Sequence, residues 1–182
     1  MRYRRTRVAG ASYFFTLVTE QRRPIFRDDE MVRLFQNGLA NVKQWHPFIA
    51  EAHVILPDHL HVIWTLPDGD ENFSTRWRLV KEVFTRAYLK INLAPDRAES
   101  RRVKGEQAVW QRRFWEHLIR DDADFSNHLD YIHLNPVHHG YAKTPGDSPH
   151  SSFAAWVERG AYAPRWGEDA LPEIPKWAKA HE

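Results

Sequence analysis

A chain of 182 residues, 42% hydrophobic and 13% aromatic, is long enough to bury one substantial core and too apolar to be globally disordered. It has no cysteine, which excludes disulfides, thiolate zinc sites and cysteine nucleophiles. The formal charge of +2 conceals an asymmetry: residues 1–27 carry seven Arg against one Glu, and residues 76–120 carry twelve Lys or Arg against five acids. The remainder holds seven basic and eighteen acidic residues. Segregation of this kind gives a nearly neutral protein a positive surface, the footprint of a polyanion binder. No apolar run approaches the ~18 residues of a membrane span, and MRYRRTRVAG lacks the apolar stretch of a signal peptide. A single domain over residues 1–182 is expected, cytoplasmic and without a membrane partner, with a basic arm at 1–10 and a Pro/Trp-rich tail at 141–182.

Taken in chain order, Ser12–Thr19 (SYFFTLVT) is aromatic and β-branched and reads as a strand. From Asp28 the apolar residues Met31, Leu34/Phe35, Leu39 and Val42 recur at helical spacing behind an acidic start. Phe48–Leu56 alternates as a second strand, Pro57-Asp58 makes a turn, and HLHVIWTL is a third strand. A tight hairpin there pairs Leu56 with His59 and Val54 with His61, and turns His53 the opposite way. Ser74 is a candidate cap for the next helix, whose stripe is Trp77, Val80, Phe84, Ala87/Tyr88 and Ile91; Arg78, Lys81 and Arg86 fall off that stripe. Residues 93–108 read as a polar, basic loop, and Val109–Ile119 contains a fourth strand. RDDADFSNHLDYIHLNP gives a helix over 121–135, with Asp121/Asp122 at its start and Pro136 as its stop. Only short elements are expected after Gly140. The order β-α-β-β-α-β predicts an α+β, ferredoxin-like antiparallel sheet with helices on one face, followed by a C-terminal helix and an irregular tail.

Two features carry chemistry. In a strand, residues i and i+2 share a face, so His59 and His61 lie side by side. They are either polar residues on the wet side of a half-buried strand, or they hold something together. On the 121–135 helix, Tyr131 and Asn135 are neighbours at i and i+4, with His128 and Asn127 on the same face. By itself that helix reads as ordinary: Tyr131 at the core boundary and Asn135 as a C-terminal cap. Together, two neutral imidazoles and an amide oxygen suit a divalent cation, and a tyrosine beside a metal can act as a covalent nucleophile on a phosphodiester.

LPDHLHVIWTLPDGDENFSTRWRLVKEVFT and WQRRFWEHLIRDDADFSNHLDYIHLNPVHHG closely resemble the REP-associated tyrosine transposases, a branch of the HUH single-strand DNA transposases. The similarity covers roughly residues 3–166. The resemblance implies that His59 and His61 are metal ligands, that Asn135 is the third, and that Tyr131 is the nucleophile. It also implies a Mg²⁺- or Mn²⁺-dependent enzyme that cleaves and rejoins single-stranded hairpin DNA through a 5′-phosphotyrosine intermediate. A monomer is implied before a dimer, and a nucleoid-associated place in the cytoplasm. His138 departs from the family pattern, which has Lys there.

The candidate nucleic-acid contacts are Arg4, Arg5, Arg7, Arg78, Lys81, Arg101, Arg102, Lys104, Arg112 and Arg113. Arg4, Arg5 and Arg7 read equally as an arm on DNA or as a solubilising terminus. Trp64, Trp77, Trp110 and Trp115 are expected to pack rather than to stack on bases. His117, His128 and His133 are expected to support the site or the fold rather than to ligate, with proton transfer as an alternative task for one of them, and Asp58 is read as a turn residue with a supporting role beside the first ligand as the alternative. Two rival readings are a hairpin-binding regulator with an idle site, and an HUH replication initiator or relaxase. The second is disfavoured by the short chain.

Overall fold

A computed structural model gives the architecture and describes residues 6–167 and Trp177. Strand β1 (Ser12–Val18) enters the centre of a four-stranded antiparallel sheet. Helix α1 (Asp29–Trp45) follows, its first turn capped by the Asp28 carboxylate, which accepts from the Glu30 N–H at 2.8 Å. Strands β2 (Ile49–Ile55) and β3 (His59–Thr65) form a hairpin. Helix α2 (Phe73–Ile91) then crosses back, a short helix α3 (Glu99–Arg102) interrupts the long loop, and β4 (Trp115–Leu118) completes the sheet in the order β2-β3-β1-β4. Helix α4 (Asp122–His138) and helix α5 (Phe153–Glu158) follow. This is the expected α+β, ferredoxin-like arrangement. No helix among the described residues is long and apolar enough to cross a membrane.

Strand alternation splits the core in two. Tyr13, Phe15, Leu17, Leu60, Val62 and Trp64 face α1 and α2, where Trp64 stacks on Trp77 with ring centroids 3.8 Å apart. Gly38 lets those two helices approach: a Cβ there would lie 3.2 Å from Val83 Cγ1. Phe14, Val54 and Ile63 face the other way, onto Leu129, Tyr131 and Ile132 of α4. The sheet is therefore covered on both sides, α1 and α2 on one face and α4 on the other. His59 and His61 are each 1% exposed. The wet-side reading of the pair is thereby removed.

The hairpin register is the expected one. Val54 pairs with His61, the Leu56 N–H donates to the His59 carbonyl at 2.9 Å, and His53 pairs with Val62, out of phase with the two histidines. Three local expectations change. Asn72, not Ser74, caps α2, its side chain accepting from the Thr75 N–H at 3.1 Å; the earlier start brings Phe73 and Arg76 into the interior. The 93–108 segment is not uniformly loop, because Glu99–Arg102 forms a helical turn whose Arg101 is buried. Pro136 does not stop α4, which continues to His138. A proline removes one N–H from the ladder without ending the helix when later turns hold. Here the true stop is Gly140, at φ +70°: its N–H donates to the Val137 carbonyl (3.0 Å) and the Tyr141 N–H to the Pro136 carbonyl (2.8 Å).

Candidate active site and its relatives

The lower end of β3 and one stripe of α4 meet face to face. His61 lies 5.1 Å from the Tyr131 ring and His59 lies 5.0 Å from the His139 ring, centroid to centroid. Tyr131, Asn135 and His139 are spaced by four residues, so they share one side of the helix. The two ring contacts therefore set Asn135, which is wholly buried, at the level between His59 and His61. The structure thus brings together all four residues expected to do the chemistry: His59, His61, Tyr131 and Asn135. Running α4 through Pro136 also adds His139, which the sequence reading missed by ending the helix too soon.

Each histidine is held by its Nδ1 atom. His59 Nδ1 lies 2.6 Å from Asp58 Oδ1, and His61 Nδ1 lies 2.8 Å from Thr16 Oγ1. With the proton on Nδ1 in both rings, each Nε2 keeps its lone pair. Both Nε2 atoms are buried and have no hydrogen-bond partner among the described residues. A buried acceptor left unsatisfied is costly unless something else binds it. The two rings stand 5.0 Å apart at 82°. Burial, followed by the charges of His59, His139 and Arg22, pushes the His61 pKa well below its usual value, so the ring stays neutral. Two imidazoles whose Nδ1 atoms are held by hydrogen bonds, leaving both Nε2 atoms facing inward, are the donor set that a divalent cation takes. The residues present fit such an ion.

Asp58 both makes the turn and holds the first histidine. Burial would raise its carboxyl, but the hydrogen bonds and charges of His59 and Arg22 outweigh that and hold its pKa at about 2. Arg22 Nη1 reaches Asp58 at 3.0 Å from a left-handed backbone, φ +50°, and Gln21 before it is also left-handed at φ +56°. Non-glycine residues in that region cost roughly 1–2 kcal/mol each, and strain of this kind persists only where the surroundings fix it. Thr19 closes the arrangement, its N–H and hydroxyl both donating to the Asp58 carbonyl at 2.9 Å.

A second group of possible ligands, His117, Asp124 and His128, has donor atoms within 4.8 Å of one another. Asp124 Oδ2 is already occupied, accepting from His117 Nε2 (2.8 Å) and from the Arg120 N–H and Nε (3.0 Å each). The two imidazoles stack at 4.5 Å and 16°, so their lone pairs lie in parallel planes and do not converge. This cluster fits a brace at the start of α4 better than an ion site. It gives the supporting role expected of His117 and His128. Burial first, then the neighbouring His117 and Arg120, keep His128 neutral, its pKa lowered to about 4.

The expected basic contacts divide. Arg78, Arg102, Lys104, Arg112 and Arg113 are exposed, and so is Arg7, whose guanidinium lies 6.0 Å from the Phe73 ring. Arg4 and Arg5 lie outside the described residues. Arg101 departs from the surface reading: it is 7% exposed, ion-paired with Glu20 and bonded to the Gln107 and Trp110 carbonyls at 3.3 Å. Lys81 donates to the Gln111 carbonyl at 2.7 Å, and burial, with Arg101 nearby, lowers its pKa to about 8. Lys81, Arg86, Arg101 and Arg112 line a groove of about 530 Å³ between α2 and the 101–112 segment.

No family model matches the chain. It is 40% identical over 167 residues to the "REP-associated tyrosine transposase" of Escherichia coli (strain K12), a match covering 92% of this chain and 91% of that protein. It is also similar to a solved structure described as the REP-associated tyrosine transposase bound to a REP hairpin. That match has a TM-score of 0.79 and 37% identity, and covers 96% of this chain and 94% of the other. With that identity carried over nearly the whole length, the chain belongs to the REP-associated tyrosine transposase family.

Proposed function

We propose that this protein binds single-stranded DNA folded into a hairpin, of the REP type named for its solved relative, and cleaves and rejoins it through Tyr131. The observation that carries this reading is the pairing of Tyr131, 5.1 Å from His61, with two buried histidine Nε2 atoms that have no hydrogen-bond partner among the described residues. His59, His61 and Asn135 would hold a divalent cation, Mg²⁺ or Mn²⁺, whose charge would polarise the scissile phosphodiester during attack.

The protein's own groups supply the rest. Tyr131 Oη gives up its proton to solvent and attacks phosphorus, the bond to the 3′-oxygen breaks, and that oxygen takes up a proton from solvent to leave as a free 3′-hydroxyl. The phosphoryl group stays on the tyrosine as a 5′-phosphotyrosine. Attack on it by a 3′-hydroxyl reverses the step, so bond energy is conserved and no nucleotide cofactor is needed. Asp58 and Thr16 fix the tautomers of the histidines, and the exposed arginines and lysines hold the DNA backbone.

A labelled hairpin oligonucleotide incubated with protein and Mn²⁺ should give an adduct that survives SDS. Tyr131→Phe should give none; if it forms the adduct as well as wild type, the nucleophile is elsewhere. His59→Ala should lose the adduct and keep hairpin affinity within a few fold, because phosphate contacts supply most of the binding. A wild-type protein that binds the hairpin and never forms the adduct would instead be a regulator with an idle site.

A further inference from the structure

On the α1/α2 side of the sheet, away from His59, His61 and Tyr131, the groove between α2 and the 101–112 segment holds one cation more than it can pair. Lys81, Arg86, Arg101 and Arg112 line it. Each arginine has its own carboxylate: Arg86 bonds Glu82 at 2.5 Å, Arg112 bonds Glu106 at 2.6 Å, and Arg101 pairs with Glu20. Lys81 forms no ion pair among the described residues. Its Nζ donates to the Gln111 carbonyl at 2.7 Å and lies 5.7 Å from the centre of the Trp110 ring. Burial first, then the Arg101 charge, lower its pKa to about 8 against a smaller pull from Glu20, so it remains an ammonium at neutral pH. A half-buried cation without a bonded counter-ion is costly, and a bound anion offsets that cost. An ammonium has three N–H groups; the Gln111 carbonyl takes one and leaves the others for a ligand.

Both walls are fixed by the fold. Trp110 packs against Phe84 at 5.3 Å and Phe26 at 5.7 Å, its backbone is bridged to Thr19, and the Gln111 N–H donates to the Val18 carbonyl at 3.0 Å. Opposite, Lys81, Thr85 and Leu89 follow one another at four-residue steps along α2, so they line one side of the groove. Thr85 places a hydroxyl one turn from the ammonium, and Leu89 and Trp110 supply apolar surface. At about 530 Å³ the groove is far larger than a bare anion needs. It falls within the range of small-molecule sites, about 300–1,000 Å³, which are largely apolar with a few placed polar groups. A phosphate accepts several charge-assisted hydrogen bonds at once. Attached to a nucleoside, it also brings a flat apolar body for the rest of the space.

We propose that this groove is a nucleotide-phosphate site, with Lys81 and Thr85 on the phosphate and Leu89 and Trp110 beside the nucleoside. Two sources offer that chemistry: a nucleotide of the bound DNA, and a free mononucleotide. Residues 19–22 separate the groove from the Tyr131 site, since Glu20 reaches Arg101 on one side and Arg22 reaches Asp58 on the other. The site therefore lies outside the cleavage chemistry and stands whether or not Tyr131 forms an adduct.

The test uses full-length protein and two probes. In the first, hairpin oligonucleotides with single-stranded flanks carry one uncharged methylphosphonate linkage, moved position by position, and affinity is read by fluorescence anisotropy. With DNA as the source, wild type should lose affinity several-fold at one linkage. Lys81→Gln should lose nothing further there, having already lost that contact. In the second, dAMP is titrated by equilibrium dialysis. With a free nucleotide as the source, wild type should bind it saturably, and Lys81→Gln should bind it at least ten-fold more weakly. Thr85→Val, close in shape to wild type and with the ammonium intact, should reduce whichever response is seen by a few fold. Melting curves near wild type show that both variants are folded. The site is overturned if no linkage distinguishes wild type from Lys81→Gln and dAMP does not bind saturably, or if both variants keep the wild-type response in full. Neither readout uses the adduct, so a missing adduct sinks the cleavage reading alone and a missing phosphate response sinks the groove alone.

Discussion

Asp58 illustrates how much of this site is decided one atom away from the expected ligands. Its carboxylate holds His59 by Nδ1 and is itself held by Arg22, so the Nε2 lone pair has a fixed direction. Groups that orient a metal-binding histidine typically contribute 10–100-fold in affinity or activity. Asp58→Ala should therefore raise the Mn²⁺ concentration for half-maximal adduct by about that factor, with hairpin affinity in chelator unchanged. A shift under two-fold would make Asp58 a turn residue only. The sequence showed the pair at His59 and His61 because period-2 spacing survives in a linear string. It could not show Thr16, which meets His61 only through the β1–β3 register. A second residue-scale prediction concerns His133, wholly buried on α4 with Nε2 2.9 Å from Ser152 Oγ. Burial, and to a lesser degree His53, lower its pKa from 6.5 to about 3. Between those values the unfolded chain binds a proton that the folded chain refuses, so stability falls as pH drops through that window. The loss at this residue is on the order of 2 kcal/mol between pH 7 and pH 5. Urea unfolding at the two pH values should show the loss, and His133→Gln should flatten it whatever its own stability.

At the scale of elements, α4 is where reading and structure part most usefully. The helix start was legible because Asp121 is a strong cap, its side chain accepting from the Asp124 N–H at 2.8 Å. The end was misplaced because Pro136 is a loud local signal, whereas the glycine that closes the helix acts through a backbone pattern spanning six residues. The difference has functional weight, since the extra turn is what delivers His139 to His59. Among the described residues, Gly140 has no neighbour within 4 Å of where a Cβ would stand, so it is the left-handed backbone that resists substitution there. Gly140→Ala should cost about 1 kcal/mol of unfolding free energy by urea titration. If it costs nothing, the terminating pattern is not holding the helix end. The hairpin follows the tight-turn expectation, partners included, because the two-residue Pro57-Asp58 connection fixes which residues stand opposite each other: the Leu56 N–H donates to the His59 carbonyl and Val54 pairs with His61.

Across the whole molecule, the charge asymmetry that first suggested a polyanion partner turns out to be two populations of cation. Within the basic stretch 76–120, Arg76 and Arg101 are buried, Arg76 against Asp70 and the Pro47 carbonyl and Arg101 against Glu20. Composition counts these as surface charge; only packing reveals that they tie loops to the sheet. Arg113, in contrast, is exposed, and no hydrogen bond or ion pair occupies it among the described residues. The two classes should separate under mutation. Removing a buried guanidinium strips its hydrogen-bonded partners and its packing, which costs about 1–3 kcal/mol and in a domain of this size lowers the melting temperature by roughly 2–10 °C. Arg101→Ala should show that loss, and should weaken hairpin binding only as far as the folded fraction falls. Arg113→Ala should melt within a degree or two of wild type. If Arg113 meets a phosphate, the variant's plot of log affinity against log salt should be shallower by about 0.7–1, one ion fewer released. An unchanged slope would place Arg113 off the DNA path, and an Arg101→Ala protein that melts like wild type would return that residue to the surface set.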